Sequence, residues 1–410
     1  MADNHSKVDG ARVLADLNTL RAIGAYKTGV HRPTFSEPHM RSLDWLARKL
    51  PEAALAAEID GIGNVLGTSA KSGSKLLAGS HLESQNFAGW LDGPLGVVYA
   101  LEAARVINPD SNIKGAVEVA AWCDEEGHFG HFLGSRSYVG DVTEADIDEA
   151  RDRSSDRTMR QALQDVGLAG RPRARAERGR HIGYIEAHIE QGLTLEGAGL
   201  KIGVVTSIVG ISQYRIVFAG EQNHAGTTRM KDRKDAGLAL ARLCVTIDDC
   251  FPASCGPRTV WTTGRITLDP GAPSIIPGRA EMLFQIRDDN PETVDRLEKL
   301  LRDLAAEIGA KSRCSAEVMR IRAGAPALMD AGFQKAIEDA SATFASGKSI
   351  RMPSGAGHDA QVLAKIMPAG MLFVPSIGGI SHHWSENTAD ADIVTGAQVF
   401  VETCRLCVSQ

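Results

Sequence analysis

Histidines and acidic residues are concentrated in a few short, glycine-rich stretches of the sequence. The residues that could bind metal ions are His81, Asp92, Glu126, His188 and His382, with Glu83 and Glu125 close beside them. A single histidine is more often a hydrogen-bonding structural residue than a metal ligand, and an Asp-Gly pair usually marks a turn. Together, however, imidazole and carboxylate groups in this number are what a pair of divalent cations requires. The sequence therefore predicts a metal site.

Short apolar runs alternate with amphipathic stretches around these residues. Two amphipathic helices are predicted in the first 50 residues, from the apolar stripes that contain Leu17 and Leu46. Lys75–Ala78 and Ala116–Trp122 are predicted strands, and Gly96–Ile107 is a predicted helix. This alternation indicates a layered α/β fold. Side chains at the strand ends then converge on one cleft, which brings the candidate ligands together.

The pattern changes near residue 212 and changes back near residue 328. Between these points two strand–helix–strand blocks are predicted, with strands such as Gln213–Ala219 and a charged amphipathic helix in Pro291–Ile308. We therefore expect a smaller α/β domain, 213–327, inserted between two parts of a catalytic domain, 1–212 and 328–410. The polar, arginine-rich segment 141–181 is expected to form helical structure on the surface.

Composition excludes several classes of function. The 410 residues carry a net charge of −6, which offers no basic surface for nucleic acid or an anionic membrane. No apolar run is long enough to span a bilayer, and the start of the chain does not have the pattern of a secretion signal. The seven cysteines are scattered, as expected for reduced thiols in a cytoplasmic protein.

Seven ordered motifs carry a resemblance to a known family. They are GSHLESQNFAGWLDGPLGV, DEEG, YIEAHIEQG, NHAGTTRMKDRKDA, PSIIPG, SGAGHDA and FVPSIGGISHHWSE. In order and approximate spacing they resemble the amidase/hydantoinase/carbamoylase family, which includes N-carbamoyl-L-amino-acid hydrolases, β-ureidopropionases and allantoate amidohydrolases. The resemblance runs from about residue 10 to the end. It implies a metallopeptidase-like architecture, in which a catalytic α/β domain carries an inserted lid and dimerisation domain.

The resemblance also implies a ligand set for two divalent metal ions per chain. His81, Asp92 and His188 would hold one ion, and Asp92, Glu126 and His382 would hold the other. Zinc suits these nitrogen and oxygen ligands, and manganese, cobalt or nickel would also fit them. A hydroxide shared by the two ions would attack the scissile carbonyl carbon.

Two acidic residues beside the ligands would support the chemistry. By the resemblance, Glu125 is the general base, which takes a proton from the attacking water and delivers it to the leaving nitrogen. The family usually has aspartate where Glu83 stands. Glu83 would accept a hydrogen bond from the free ring N–H of His81 and so fix the tautomer of that ligand.

Further residues would recognise the substrate. Arg287 matches a family arginine that binds the substrate carboxylate in a two-pronged fashion, and His224 matches a family histidine that stabilises the oxyanion. The remaining pocket residues would be Gln191, Ser274, Gly355, Ala356, Gly357 and His358. Ser274 replaces the asparagine common in the family, which puts the usual substrate in doubt. Alternatively, Arg287 pairs with a neighbouring acid and His224 is simply a loop residue.

The resemblance implies a homodimer as well. In the family the inserted domains pair edge to edge, and the histidine equivalent to His224 reaches the neighbouring chain's metals. Strands such as Arg215–Phe218 would offer the uncovered edge. The alternative is a monomer whose own His224 faces solvent.

Three functions remain open from the sequence. The preferred one is an amidohydrolase that cleaves the C–N bond of an N-carbamoyl amino acid or a related ureido or amide acid, a small carboxylate-bearing molecule. A dipeptidase or N-acyl-amino-acid deacylase would use the same metal pair, although His188 favours the carbamoylase branch. A non-catalytic binding protein would be expected to have lost Glu125 or a ligand, and all of them are present.

Overall fold

The computed structural model describes residues 7–409, with the backbone alone at 322 and 323. The first six residues, where the sequence predicts no secretion signal, lie outside the described residues. The chain forms two compact units: one combines the chain up to Thr206 with the chain from Leu328 onward, and the other is Ser207–Ala327. The second unit begins at Ser207 rather than at Gln213, because the residues just before Gln213 already belong to one of its strands.

The larger unit begins with helices and short strands that lead into its sheet. Its elements up to the boundary are α1 (Gly10–Ala22), β1 (Ala25–Tyr26), β2 (Gly29–Val30), α2 (Glu37–Lys49), β3 (Ala56–Ile59), β4 (Val65–Thr68), β5 (Lys75–His81), α3 (Pro94–Ile107), β6 (Ala116–Trp122), α4 (Leu133–Val139), α5 (Glu144–Glu149), α6 (Met159–Asp165), β7 (Gly183–Ile189), α7 (Thr194–Gly197) and β8 (Ile202–Ile208). Side-chain caps begin the two N-terminal helices: Asp9 accepts from the backbone of Arg12, and Ser36 from that of His39.

The smaller unit and the return to the larger unit complete the chain. The smaller unit contains β9 (Gly210–Ala219), β10 (Asn223–His224), α8 (Ala236–Cys250), β11 (Val260–Asp269), β12 (Ile275–Ile276), β13 (Arg279–Asp288), α9 (Pro291–Ser312) and β14 (Ser315–Ala323). After it follow β15 (Ala327–Leu328), α10 (Ala331–Phe344), β16 (Ser349–Ser354), α11 (Asp359–Leu363), β17 (Ala369–Val374) and α12 (Asp390–Val408).

A nine-stranded sheet organises the larger unit, with strand order β15-β8-β17-β7-β5-β6-β4-β3 and β16 paired to β8. The four central strands β17, β7, β5 and β6 are parallel, so their carboxyl ends lie at one edge. These strands are buried along their whole length apart from the half-buried first residue of β5, and helix α3 is almost entirely buried too. Continuous apolar strands of this kind are typical of a parallel sheet covered on both faces.

The segment predicted as surface helix contains two short helices whose apolar residues join a small hydrophobic cluster. Capping boxes begin α5 at Thr143 and α6 at Thr158. Ile147, Met159 and Leu163 are buried in a hydrophobic cluster that also includes residues of the loop after β6. The segment therefore packs against the loop that follows β6 and does not lie only on the surface.

The smaller unit is a four-stranded antiparallel sheet in the order β11-β13-β9-β14, with helices α8 and α9. The chain order β-α-β-β-α-β with this strand arrangement is the ferredoxin-like topology. Its core gathers alternate residues of the strands, such as Tyr214 and Phe218, with Leu243 and Leu301 of the helices. In the described part of the chain, no helix has the length and apolar character needed to cross a membrane.

Candidate metal centre

The first group of candidate ligands lies at the carboxyl edge of the parallel strands. His81 is the last residue of β5, His188 lies near the end of β7, and Asp92 precedes helix α3. Oδ1 of Asp92 lies 3.5 Å from Nε2 of His81 and 3.0 Å from Nε2 of His188. All three residues are buried, and one ligand atom from each lies within 4.8 Å of the others. This spacing is that of a three-residue metal-binding group.

The second group shares Asp92 with the first. Oδ2 of Asp92 lies 3.3 Å from Nε2 of His382, and that nitrogen lies 3.7 Å from Oε2 of Glu126. Glu126 follows strand β6 and is buried, whereas the side chain of His382 is 52% exposed. The second group therefore opens toward solvent on the side of His382. The five residues predicted as ligands thus fall into two groups of three with one common carboxylate.

The orientation of two imidazoles tests whether a cation fits. Nδ1 of His81 lies 3.1 Å from the carbonyl oxygen of Glu83, and Nδ1 of His188 lies 3.0 Å from that of Ile189. A carbonyl only accepts, so Nδ1 carries the proton in each neutral ring. The lone pair of each Nε2 then faces the carboxylate of Asp92. Beside the carboxylate of Asp92 this arrangement requires a positive charge, which a second proton on each ring supplies when no ion is bound and a cation supplies otherwise, so the donor set fits divalent cations.

Asp92 is held by polar groups that surround its carboxylate. Nε2 of Gln191 donates to Oδ2 at 2.9 Å, and Oγ of Ser381 lies 3.2 Å from the same oxygen. Burial raises the pKa of Asp92, but when no ion is bound the hydrogen bonds from the protonated rings of His188, His382 and His81 outweigh it and hold the pKa well below its usual range. The carboxylate therefore stays ionised, as a shared metal ligand must.

Glu125 lies beside the ligands without belonging to either group. Its Oε2 is 3.7 Å from Nε2 of His81, and its side chain is 11% exposed. Burial raises the pKa of Glu125 well above its usual range; the positive charge of His81 opposes this shift, and the negative charges of Glu126, Asp359 and Asp92 reinforce it. A carboxylate with a raised proton affinity at the edge of a metal centre is suited to accept a proton during a reaction.

Glu83 does not make the predicted contact. Its carboxylate Oε1 is 3.9 Å from Nδ1 of His81, which binds the backbone carbonyl of Glu83 instead. The same Oε1 accepts from the backbone N–H of Glu125 at 2.6 Å and of Glu126 at 3.4 Å. The side chain of glutamate is longer than that of aspartate, and its carboxylate lies beyond the imidazole, at the loop that follows β6. The predicted hydrogen bond from the ring of His81 to the Glu83 carboxylate is therefore wrong.

Three polar residues of the site were not assigned from the sequence. Gln85 donates through its backbone to Oε1 of Glu126 at 3.1 Å and through Nε2 to Oε2 at 2.7 Å. Glu386 accepts from the backbone of Asp92 at 3.1 Å and from Oγ of Ser381 at 2.9 Å. All three, Gln85, Ser381 and Glu386, lie inside the first and last of the seven motifs, so the motifs contained the signal but no pattern of spacing singled these residues out.

Three residues other than glycine have left-handed backbone conformations at this edge of the sheet. Asp124, Gln191 and His382 have positive φ angles of 60°, 58° and 55°. Side chains other than glycine rarely adopt this region, and such residues are found where the surrounding structure holds them for a functional purpose. Each of the three lies next to, or is itself, a residue predicted to act in the site.

The other predicted pocket residues of the larger unit lie in the loop that connects β16 to α11. The ring of His358 packs edge-on against His188, with centroids 4.5 Å apart, and its Nε2 lies 2.9 Å from Oγ of Ser354. Gly355 and Gly357 flank Ala356 in the same loop, and a side chain at Gly355 would meet open space. The structure thus brings His358 to the first ligand group and leaves the two glycines in the loop before it.

The predicted residues of the smaller unit lie toward two opposite ends of its sheet. His224 is exposed on β10; its Nδ1 accepts from the backbone of Gly226 at 3.0 Å and of Thr227 at 3.2 Å, so the proton of the neutral ring is on Nε2. Ser274 lies beside this loop, since its carbonyl accepts from Ala225 at 2.9 Å. Arg287 is near the far end of β13, where burial lowers the pKa of its guanidinium.

The strand register measures the separation of these ends. In β9, Ile211 is opposite Arg287, and Ala219 is opposite Arg279, just before the His224 loop. At about 3.3 Å per residue these two positions of β9 are about 26 Å apart. Within one smaller unit, Arg287 and His224 are therefore too far apart to contact one amino-acid-sized molecule.

A mainly parallel sheet whose carboxyl edge carries two ligand groups with a shared carboxylate is typical of two-metal hydrolases. Residues 78–406 match peptidase family M20/M25/M40, and the chain belongs to this family of metal-dependent hydrolases. The prediction of a hydrolase is thereby confirmed, as is the predicted α/β fold.

Particular relatives confirm the resemblance found in the motifs. The chain is 33% identical over 408 residues to an N-carbamoyl-L-amino acid amidohydrolase of Geobacillus stearothermophilus, covering 97% of this chain and 98% of the relative. It is 32% identical to an allantoate amidohydrolase of Bacillus subtilis (strain 168), covering 91% and 92%. A solved amidase of the hydantoinase/carbamoylase family from Burkholderia phymatum is 43% identical, with a TM-score of 0.86 over 99% of both chains.

Proposed function

We propose that this protein is a two-metal amidohydrolase that cleaves the C–N bond of an N-carbamoyl amino acid or a related ureido acid. The observation that carries the proposal is the pair of ligand groups sharing Asp92, with the separate carboxylate of Glu125 beside them. The relatives named above act, by their names, on N-carbamoyl-L-amino acids and on allantoate, which are acids with a ureido group.

In this proposal His81, Asp92 and His188 hold one divalent ion, and Asp92, Glu126 and His382 hold the second. Zinc is the preferred identity because it favours nitrogen and carboxylate ligands in small numbers. The ions, when bound, supply Lewis-acid chemistry that polarises the scissile carbonyl and makes water acidic. The seven free cysteines of the chain support the expectation of a reducing, cytoplasmic environment.

Glu125 performs the proton transfers. Its carboxylate takes a proton from the attacking water and gives it to the leaving nitrogen, which would otherwise depart as an unstable anion. Burial raises the pKa of Glu125 when no ion is bound, and the positive charge of bound ions would oppose that rise. A carboxylate of intermediate basicity can both take up the proton and release it. Gln191 and His358 orient the substrate from the same edge of the sheet, with the Gly355–Gly357 backbone completing the pocket.

The smaller unit supplies recognition of the substrate carboxylate and oxyanion. Arg287 carries two parallel N–H donors that match a carboxylate, and Nε2 of His224 carries the proton needed to donate to an oxyanion. Ser274, beside the His224 loop, offers one hydroxyl to the substrate. Since about 26 Å of strand separates Arg287 from the His224 end, one substrate needs these two residues from different chains.

The protein is therefore proposed to be a homodimer, with His224 of the partner subunit acting at each metal centre. The predicted edge, Arg215–Phe218, is not available for this pairing, because β9 is paired on both sides. Strand β11 is the open edge next to β13, and it exposes Val260, Ile266 and Leu268. An exposed apolar edge strand is a surface suited to pairing with a second copy.

A substrate panel tests the function. Purified protein loaded with Zn²⁺ or Mn²⁺ is assayed for ammonia release from N-carbamoyl amino acids and allantoate, and for amine release from N-acetyl amino acids and dipeptides. Turnover of the ureido acids at least 100-fold faster than of acyl or peptide substrates is the expected result. Preference for dipeptides or acyl amino acids would assign the chain to the alternative branch, and binding without turnover of any class would indicate a non-catalytic protein.

A further inference from the structure

The carboxylate of Glu83 lies at the centre of a buried group of residues behind the ligands. The residue is fully buried, and its Oε1 accepts from two successive backbone N–H groups, those of Glu125 and Glu126. Its second oxygen, Oε2, has no hydrogen-bond partner among the described residues. The nearest cationic or donor nitrogen that the structure records is Nε2 of His39, at 3.6 Å. A buried carboxylate oxygen that has no hydrogen-bond partner is destabilising, so the nearby donor of His39 matters for the stability of this site.

His39, on helix α2, is oriented so that it can donate to Glu83. Its Nδ1 accepts from the backbone N–H of Phe35 at 3.0 Å, which leaves the proton of the neutral ring on Nε2. That Nε2 is itself buried and, among the described residues, makes no hydrogen bond within normal distance. The two unsatisfied atoms therefore face one another, and a shift of a few tenths of an ångström would join them.

The loop that Glu83 holds is strained and carries two residues of the proposed centre. Asp124 has a φ of 60°, in the left-handed region, and Glu125 and Glu126 follow it directly. A residue held in that region persists only where neighbouring contacts fix it. The short bond from Glu125 N–H to Glu83 is one such contact. By contrast, the tautomer of His81 is already fixed by a backbone carbonyl, so it does not require the Glu83 carboxylate.

We propose that Glu83 and His39 are a pair of positioning residues that fix the backbone of Glu125 and Glu126. This inference rests on the metal centre proposed above. The proposal makes a different prediction for each ligand group. Metal binding by the group of Asp92, Glu126 and His382 depends on the pair. Metal binding by the group of His81, Asp92 and His188 does not. If Glu83 instead orients His81, the dependence falls on the other group.

Metal affinity, measured one group at a time, tests the proposal. His188→Ala leaves only the second group complete, and His382→Ala leaves only the first. Zn²⁺ is titrated into each protein in competition with a chromophoric chelator, with and without Glu83→Gln. In the His188→Ala protein, Glu83→Gln should weaken Zn²⁺ binding by about 10- to 100-fold, the usual effect of losing a residue that supports a ligand. In the His382→Ala protein the change should stay below about 3-fold.

Two substitutions of His39 provide a matched control. An asparagine amide can replace the acceptor Nδ1 but not the donor Nε2, whereas a glutamine amide reaches as far as Nε2 and can donate there. His39→Asn should therefore reproduce the loss caused by Glu83→Gln, and His39→Gln should restore binding by the second group. Equal losses with both would show that His39 acts by packing and would overturn its part in the proposal.

The remaining outcomes separate this proposal from the metal centre itself. If the unsubstituted protein binds no divalent ion, the metal centre is wrong. If it binds two ions and Glu83→Gln changes neither group, or weakens the first group more, the metal centre stands and the positioning role is wrong. Should the single-group proteins not fold, Glu83→Gln alone decides: one of its two Zn²⁺ ions should bind weakly and kcat should fall with KM nearly unchanged, and two ions bound as in the unsubstituted protein would refute the proposal.

Discussion

Replacing Glu125 with glutamine is the substitution that bears most directly on the proposed chemistry. The side chain keeps its shape and loses only its ability to take up a proton. The backbone bond from Glu125 N–H to Glu83 does not involve the side chain and is retained. Glu125 belongs to neither ligand group, so the content of bound metal should not change.

The expected loss of turnover follows from the role of a general base. Removal of such a base typically costs about 10²–10⁴-fold, which corresponds to about 3–5 kcal/mol of transition-state stabilisation. The structure favours the upper part of this range, because the neighbouring carboxylate of Glu126 is a candidate ligand and already accepts two hydrogen bonds from Gln85. Burial and like charges raise the pKa of Glu125, so a neutral amide should not lower the melting temperature of the metal-free protein.

The assay compares ammonia release, metal content and thermal unfolding of Glu125→Gln with those of Glu126→Gln. The two substitutions make the same chemical change at adjacent residues, but only the second alters a candidate ligand. Glu125→Gln should keep two ions and lose turnover, and Glu126→Gln should lose one ion. A Glu125→Gln protein that retains more than a tenth of the original kcat with full metal content would refute the assignment of the base.

Three further outcomes are expected. Metal analysis should find up to two divalent ions per chain, about one after either His188→Ala or His382→Ala, and a strong chelator should abolish turnover; full activity without metal would contradict the centre. Arg287→Lys should raise KM for free acids by about 10- to 100-fold, because the charge remains but the two-pronged geometry is lost; equal turnover of carboxylate-free analogues by the unsubstituted protein would exclude this role. Mixing inactive His224→Ala and Glu125→Gln proteins should restore up to about half the activity of each mixed dimer, and exchange of subunits without recovery, or a monomer in solution, would rule out sharing.

The elements that position the centre could be predicted well from the sequence. Strand Ala116–Trp122 has the predicted bounds, and helix α3 begins two residues before the predicted start at Gly96. The reason is that a buried parallel strand appears in the sequence as a continuous run of apolar residues, and the ends of such a run are easy to recognise. Because the ligands follow those ends, their convergence could be anticipated even though His81 and His382 are far apart in the chain.

Details that depend on contacts between distant segments could not be predicted. The direction of the Glu83 side chain is set by the backbone of Glu125, whose position depends on the φ of Asp124. Likewise, Arg215–Phe218 has the alternation of any half-buried strand, and only its pairing with both β13 and β14 makes it central. The local sequence pattern indicates which residues of a strand are buried. Strand order and side-chain direction depend instead on how the whole sheet assembles.

The two ligand groups become complete at different times during protein synthesis. All residues of the first group have been made once His188 is added, and they lie on paired strands or beside them. The second group is incomplete until His382 is synthesised, and His382 follows the whole of the smaller unit in the chain. At about 5–20 residues per second the interval is roughly 10–40 s. Because strand β17, which pairs with the His188 strand β7, is made in the same late segment, the sheet beside the first group and the ligands of the second group are completed together.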